Sequence, residues 1–303
     1  MNKKTFIIAL ITIIVWSSSF AGTRASLLGG IPSDHLALLR FLVASIVFAF
    51  YALSQRSRFK WPKKEDLLRI FILAFIGITL YYIAATYGQQ TVTAGTTSMI
   101  VASAPIFAAL IAVFVLKERM GLIRWIGLGI GFIGIFIITL GTTDANFKIL
   151  RGIPLVLLAT IATSIFFVLQ KPLFKRYHPI HLTAYFTWAG TLPMLIFLPG
   201  LFESIQSATL EANVAAIYVG IFPSAICYAA WAIALSSGNT GTVMSMFYME
   251  PLFAITIAWL WLGEIPSILS IIGGIVAISS VAIVNLNGEK RRESPDEKSQ
   301  LTG

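Results

Sequence analysis

Apolar runs of membrane-crossing length follow one another with almost nothing between them, and no other feature limits the fold of this chain as strongly. Ten stretches, approximately 5–25, 34–53, 67–88, 93–116, 122–141, 152–171, 180–199, 213–235, 241–262 and 267–286, are predominantly apolar. A helix crosses a hydrocarbon core with about 20 such residues. Lipid offers no partner for backbone N–H and C=O groups, so each run is predicted to be a helix that satisfies them internally. The ten runs consume most of the 303 residues and leave no room for a soluble domain. Only 12% of the residues are charged, about half the ~25% share of a soluble globular chain, and the mean hydropathy is +0.85. A soluble enzyme, a disordered protein and a nucleic-acid-binding module are therefore excluded. The chain is expected to be an all-α integral membrane protein with ten transmembrane helices and a charged tail over 288–303.

Lys and Arg favour the cytoplasmic side of a membrane protein. With the N-terminus inside, 18 basic residues fall in cytoplasmic segments and three (Arg24, Lys148 and Arg151) outside, with Arg40 inside the second run. Both termini are thus expected in the cytoplasm, in the plasma membrane. The net charge of +9 becomes a topology signal that calls for no nucleic-acid partner. Lys3 and Lys4 before an apolar run also resemble a signal peptide, but the run has a counterpart in mid-chain and is read as the first helix. The one cysteine, Cys227, excludes a disulfide framework and a cysteine-based metal site; no cofactor or metal is expected.

A shift of 146 residues superimposes one half of the sequence on the other. Ser18 meets Ser164, Phe20 meets Phe166, His35 meets His181 and Tyr82 meets Tyr228. Gly95 meets Gly241, Pro105 meets Pro251, Glu118 meets Glu264 and Gly127 meets Gly273. Chance matches in an apolar sequence would favour Leu and Ile, whereas these pairs include Pro, Glu, Tyr and His. Each half, 1–141 and 150–287, holds five runs, an odd number, so the second half must enter the membrane upside down. Inverted repeats are the architecture of secondary transporters; a static, duplicated scaffold is the structural alternative.

The Trp-Ser-Ser-Ser-Phe run at 16–20, the stretch from Pro32 to Arg40 and Phe41, and the Pro105…Glu118 spacing with its echo Glu250-Pro251…Glu264 resemble the drug/metabolite transporter superfamily, EamA type. The resemblance spans about 5–286 and occurs in both halves. It implies a ten-helix inverted-repeat bundle that exports amino acids and related small metabolites, often coupled to protons. Uptake, multidrug export and a non-transporting subunit remain alternatives.

The polar residues within the runs nominate a site. Glu250 lies near the middle of the ninth run, where the other half has Ala104; a carboxylate there is costly unless paired, hydrated or protonated. It would bind a substrate ammonium group or a proton. Arg40 would snorkel, bind a carbonyl or hold a substrate carboxylate. Pro105 and Pro251 each remove a backbone hydrogen bond and are expected to kink the fourth and ninth helices. Polar groups recur on one face of four runs: Thr79, Tyr82, Thr86 and Gln89; Thr160, Thr163, Phe167 and Gln170; His181, Tyr185 and Trp188; Ser224, Tyr228 and Trp231. These faces, with Trp16, Ser18 and Ser19, would wall a central cavity. Small residues, including Gly127, Gly131, Gly134, Gly273 and Ala277, suit close helix contact, either inside the bundle or across a homodimer seam. No phosphate loop, HExxH or triad spacing is present, and no enzyme activity is expected.

Overall fold

A computed structural model describes residues 3–54, 59–116, 122–141, 146–237 and 245–279. Every regular element among them is helical. In chain order they are α1 (Lys3–Leu28), α2 (Ser33–Ser54), α3 (Lys64–Gln89), α4 (Ala94–Val101), α5 (Ala104–Leu116), α6 (Leu122–Gly141), α7 (Asn146–Gln170), α8 (Pro179–Met194), α9 (Leu201–Ser207), α10 (Leu210–Ser237), α11 (Glu250–Leu262) and α12 (Ile268–Ser279). Six of these, α1, α2, α3, α7, α8 and α10, are long and apolar enough to cross a membrane, α7 and α8 with their short 3-10 extensions; the segments Ala94–Ala108, Trp125–Ile138, Glu250–Leu262 and Ile268–Ser279 are shorter apolar helices. The outward faces carry Phe50, Phe136, Ile196, Leu210, Leu260 and Ile268, each more than 60% exposed, a surface suited to lipid. Glu118 lies outside the described residues.

Two apolar clusters make up most of the core among the described residues. One gathers Trp16, Phe41, Tyr82, Phe166, Phe186 and Trp231 from α1, α2, α3, α7, α8 and α10. The other joins Phe20, Met99, Ile138, Val156 and Ala254 from α1, α4, α6, α7 and α11. The small faces of α6 and α12 meet inside the chain: a side chain on Gly134 would strike the backbone of Ala277 at 2.5 Å, and one on Gly273 the backbone of Ile138 at 2.6 Å. These glycines serve packing within the bundle, the first of the two roles their sequence pattern allowed.

Two helices widen into π-helix at matching places, Phe75–Leu80 in α3 and Gly220–Cys227 in α10. Shifted by 146 residues, 75–80 becomes 221–226, inside the second segment. In α10 the cause is local. Pro223 has no N–H to offer the carbonyl of Val219, and the Ser224 hydroxyl takes that carbonyl instead, at 2.9 Å. In α3 the π segment carries Gly77, where a Cβ would lie 2.2 Å from the ring of Phe166 on α7. Gly77→Ala is therefore expected to cost about 1–3 kcal/mol, the usual range for overpacking. Gly129→Ala, whose Cβ would meet nothing within 4 Å, should cost nothing. Denaturant titration of the purified protein in detergent checks the pair.

The fourth run is broken, and the ninth changes helix type, where kinks were expected. Residues 102–103 form a turn between α4 and α5, and the 3-10 segment Ser245–Met249 precedes α11. Pro105 and Pro251 each occupy the second position of a new helix, where a missing N–H costs nothing. Serine hydroxyls from other helices bind the carbonyls that open those helices: Ser164 of α7 donates to Ala104 O (2.9 Å) and Ser17 of α1 to Glu250 O (3.1 Å).

Candidate functional site

Between the turn at 102–103 and the 3-10 segment Ser245–Met249 lies a central cavity of about 30 Å³, room for about one or two waters. Its walls are Trp16, Ser19 and Phe20 of α1, Tyr81 and Tyr82 of α3, Val101 and Ala104 beside the turn, and Thr163 and Phe167 of α7. Tyr228 of α10, with Phe247 of the 3-10 segment and Glu250 of α11, completes them. The walls are mostly aromatic. Trp16 stacks on Phe247 (5.8 Å between centroids, 26° between planes) and meets Tyr228 and Trp231 at 5.3 Å each. Rings of this kind present large rigid faces with a polar handle on each Tyr and Trp.

Glu250 is 2% exposed, and its Oε2 has no hydrogen-bond partner among the described residues. It stands where the 3-10 segment Ser245–Met249 passes into α11. With Oε2 unpartnered among the described residues, the carboxylate is a candidate to hold a cation or a proton.

Two contacts join residues that are repeat partners of each other. Tyr82 OH donates to Tyr228 OH at 3.1 Å, and the Ser45 and Thr191 hydroxyls lie 3.0 Å apart; both pairs are 146 residues apart. The tyrosine pair forms part of the cavity wall.

The other nominated residues divide. Trp16 lines the cavity, and its indole N–H donates to Pro223 O at 2.8 Å, tying α1 to the π segment of α10. Ser18 faces away and bonds Tyr218 OH at 2.6 Å, while its neighbour Ser19 faces in. Gln170 and Trp231 line a smaller adjoining space of about 10 Å³ beside Tyr228. Arg40, 3% exposed, does not reach the cavity wall: its Nε donates to Ser224 Oγ, its Nη1 to Thr23 Oγ1 at 3.3 Å, and its guanidinium lies 4.3 Å over the Tyr82 ring. Arg40 therefore braces Tyr82 and the π segment of α10.

Tyr81, Val101 and Phe247 were not nominated from the sequence. The repeat itself carries a signal for the last two: Val101 and Phe247 are 146 apart, as are Ala104 and Glu250, and all four line the cavity.

The bundle is clasped at both ends. At the end where α1 finishes, Arg24 Nε meets Glu264 Oε1 at 2.9 Å and Arg24 Nη1 donates to the carbonyls of Gln89 (2.6 Å) and Gln90 (2.8 Å). Glu264 Oε2 in turn accepts the Ala94 N–H at 3.2 Å, so four segments converge on one ion pair. At the other end Asp66, 5% exposed, accepts Arg176 (3.0 and 3.1 Å) and the Tyr177 hydroxyl (2.6 Å). Among the described residues no three of His, Cys, Asp and Glu converge to hold a metal ion.

The sequence matches the EamA-like transporter family over residues 3–140 and again over 150–286. The chain belongs to that family. It is 37% identical over 293 residues, 96% of this chain and 94% of the relative, to the "Uncharacterized transporter YdfC" of Bacillus subtilis. It is 30% identical over 285 residues, 93% of this chain and 94% of the relative, to a "Probable terminal-alkyne amino-acid exporter" of Streptantibioticus cattleyicolor. A crystal structure at 18% identity shares the fold, with a TM-score of 0.67 over 94% of this chain and 99% of that one. The protein is thus a multi-pass membrane transporter of this family.

Proposed function

We propose that the chain is a secondary transporter that exports amino acids or related small metabolites by alternating access. The observation that carries this reading is Glu250: a buried carboxylate whose Oε2 has no partner among the described residues, set in an aromatic cavity at the start of α11. It suits the ammonium group of an amino acid in one half of the cycle and a proton in the other, with Tyr82, Tyr228 and Trp16 enclosing the solute. The terminal-alkyne amino-acid exporter among the relatives is consistent with that substrate class.

In this reading ten helices form two inverted five-helix repeats, 1–141 and 150–287, with the four shorter apolar helices as further crossings. Its support is the pair of contacts between repeat partners. A residue touches its own repeat mate only when both lie beside a shared axis, as in an inverted repeat. The Lys/Arg distribution orients the chain in the plasma membrane with both termini in the cytoplasm. It follows that the Arg24–Glu264 clasp faces outward and the Asp66–Arg176 clasp inward. The cavity is several times too small for an amino acid, so it must widen to admit one, and in this reading the two clasps open in turn.

Extracellular metabolite profiling of cells overproducing the protein, against an empty vector, tests the proposal. One or a few amino acids or related amphipathic metabolites should accumulate outside only when the protein is present. Identical profiles across a nutrient-rich and a minimal medium would contradict export.

A further inference from the structure

A second cavity, much larger than the central one, opens at the end where α2 finishes and α3 and α8 begin. Its volume is about 390 Å³, within the ~300–1,000 Å³ range of small-molecule pockets. Every ionisable side chain on its wall apart from the tyrosines is basic: Lys60, His178, His181 and Arg176. Arg176 is already committed to Asp66 and Glu65. Lys60, His178 and His181 have no acidic partner among the described residues. Tyr185 supplies an independent observation. It is 4% exposed, lines this cavity, and its hydroxyl finds no hydrogen-bond partner among the described residues. A buried donor without an acceptor is costly, and here it is one more donor on a wall of donors and cations.

The rest of the wall is the rings of Tyr51 and Tyr177. Behind His181 and Tyr185, Phe59 packs at 4.6 Å and 5.8 Å. We infer that this vestibule is a binding site for an organic anion, which places its carboxylate against Lys60, His181 and the Tyr185 hydroxyl and its apolar body against the rings of Tyr51 and Tyr177. The chemistry is the inverse of the central cavity, which offers a carboxylate to a cation. A solute with both groups, such as an amino acid, would be held first by its acidic end and then by its basic end. This last step rests on the proposed export and on the inward orientation of this end; the anion site itself does not.

Equilibrium binding of radiolabelled phenylacetate to the full-length protein in phosphatidylcholine nanodiscs tests the site without requiring transport. Binding should saturate, resist displacement by phenethylamine, and weaken at least tenfold in Lys60→Gln/His181→Gln. Tyr185→Phe, which removes one hydroxyl and keeps the ring, should weaken it several-fold, and supplies the test where the double variant does not fold. Glu250→Gln should leave it unchanged, since that carboxylate lies in the other cavity. Equal displacement by phenethylamine, undiminished affinity in Tyr185→Phe and the double variant, or loss of binding in Glu250→Gln would each overturn the assignment. Two further arms separate the sources of an anion: if phosphatidylglycerol in the discs or inorganic phosphate displaces phenylacetate, the occupant is a phosphate or lipid headgroup and the carboxylate site is overturned.

Discussion

Glu250→Gln is expected to lower extracellular accumulation of the exported solute by about 10–100-fold at matched membrane abundance, with no loss of stability. Glutamine keeps the shape of the side chain and removes its charge. A hydrogen bond to a charged group contributes about 1.5–3 kcal/mol, and each ~1.4 kcal/mol is a factor of ten. The stability half of the prediction separates a functional acid from a structural one. Glu250 is 2% exposed and its Oε2 is unpartnered among the described residues, so neutralising it relieves a burial cost and breaks no ion pair among them. The thermal midpoint should hold or rise while transport falls. Glu250→Ala should lose transport equally. Wild-type accumulation with both variants would remove Glu250 from the mechanism, and a large drop in thermal midpoint with Glu250→Gln would reassign it to packing.

Arg24→Ala should open the end of the bundle where α1 finishes, the outer end in the proposed orientation. Arg24 makes one ion pair and two carbonyl contacts, and through Glu264 it also fixes the start of α4. Its side chain is 14% exposed and that of Glu264 18%, so the pair is shielded from water but not fully buried. Charge-assisted bonds of this kind contribute about 1.5–3 kcal/mol, and their loss should shift the closed–open balance by roughly tenfold or more toward open. A cysteine placed at Ser19, on the cavity wall, in a Cys227→Ala background reports the change. Its labelling by a membrane-impermeant maleimide from outside should accelerate at least fivefold in Arg24→Ala. Glu264→Gln, which keeps the side chain and removes the ion pair, should give a smaller acceleration in the same direction. Unchanged labelling in both variants would mean that the clasp does not hold this end shut.

The sequence located the helices more accurately than the site. The run 34–53 became Ser33–Ser54 and the run 180–199 became Pro179–Phe197, because hydropathy and lipid demand the same boundaries. The break in the fourth run and the change of helix type in the ninth were less legible. Pro105 and Pro251 signalled a disturbance, but whether a proline bends a helix or starts a new one depends on competition for the freed carbonyls. Around the break in the fourth run, Ser98 and Ser103 turn back to Gly95 O (2.7 Å) and Ile100 O (2.5 Å), and Ser164 arrives from α7 to bind Ala104 O. That last contact spans 60 residues, beyond the reach of a local pattern.

Helix rotation was the other missing quantity. Ser18 and Ser19 are adjacent and chemically identical, yet one bonds Tyr218 and the other lines the cavity. Only the neighbours of α1 decide between them. The same holds for Tyr81, which the π segment just before it helps bring to the cavity beside Tyr82. Tyr82 and Tyr228 were legible because two signals agreed, the repeat offset and a polar helical face. Arg40 was legible as unusual but not in role, since its partners Ser224, Thr23 and the Tyr82 ring come from three different helices.

The measurement that bears most directly on the central claim is solute counterflow with purified protein in liposomes. Liposomes preloaded with a panel of unlabelled amino acids would be diluted into each labelled counterpart in turn. Alternating access through the Glu250 cavity predicts a transient, saturable accumulation of at least one labelled amino acid or close relative, abolished by Glu250→Gln. Flux no greater than in protein-free liposomes across the whole panel, or counterflow that survives both Glu250→Gln and Glu250→Ala, would contradict it.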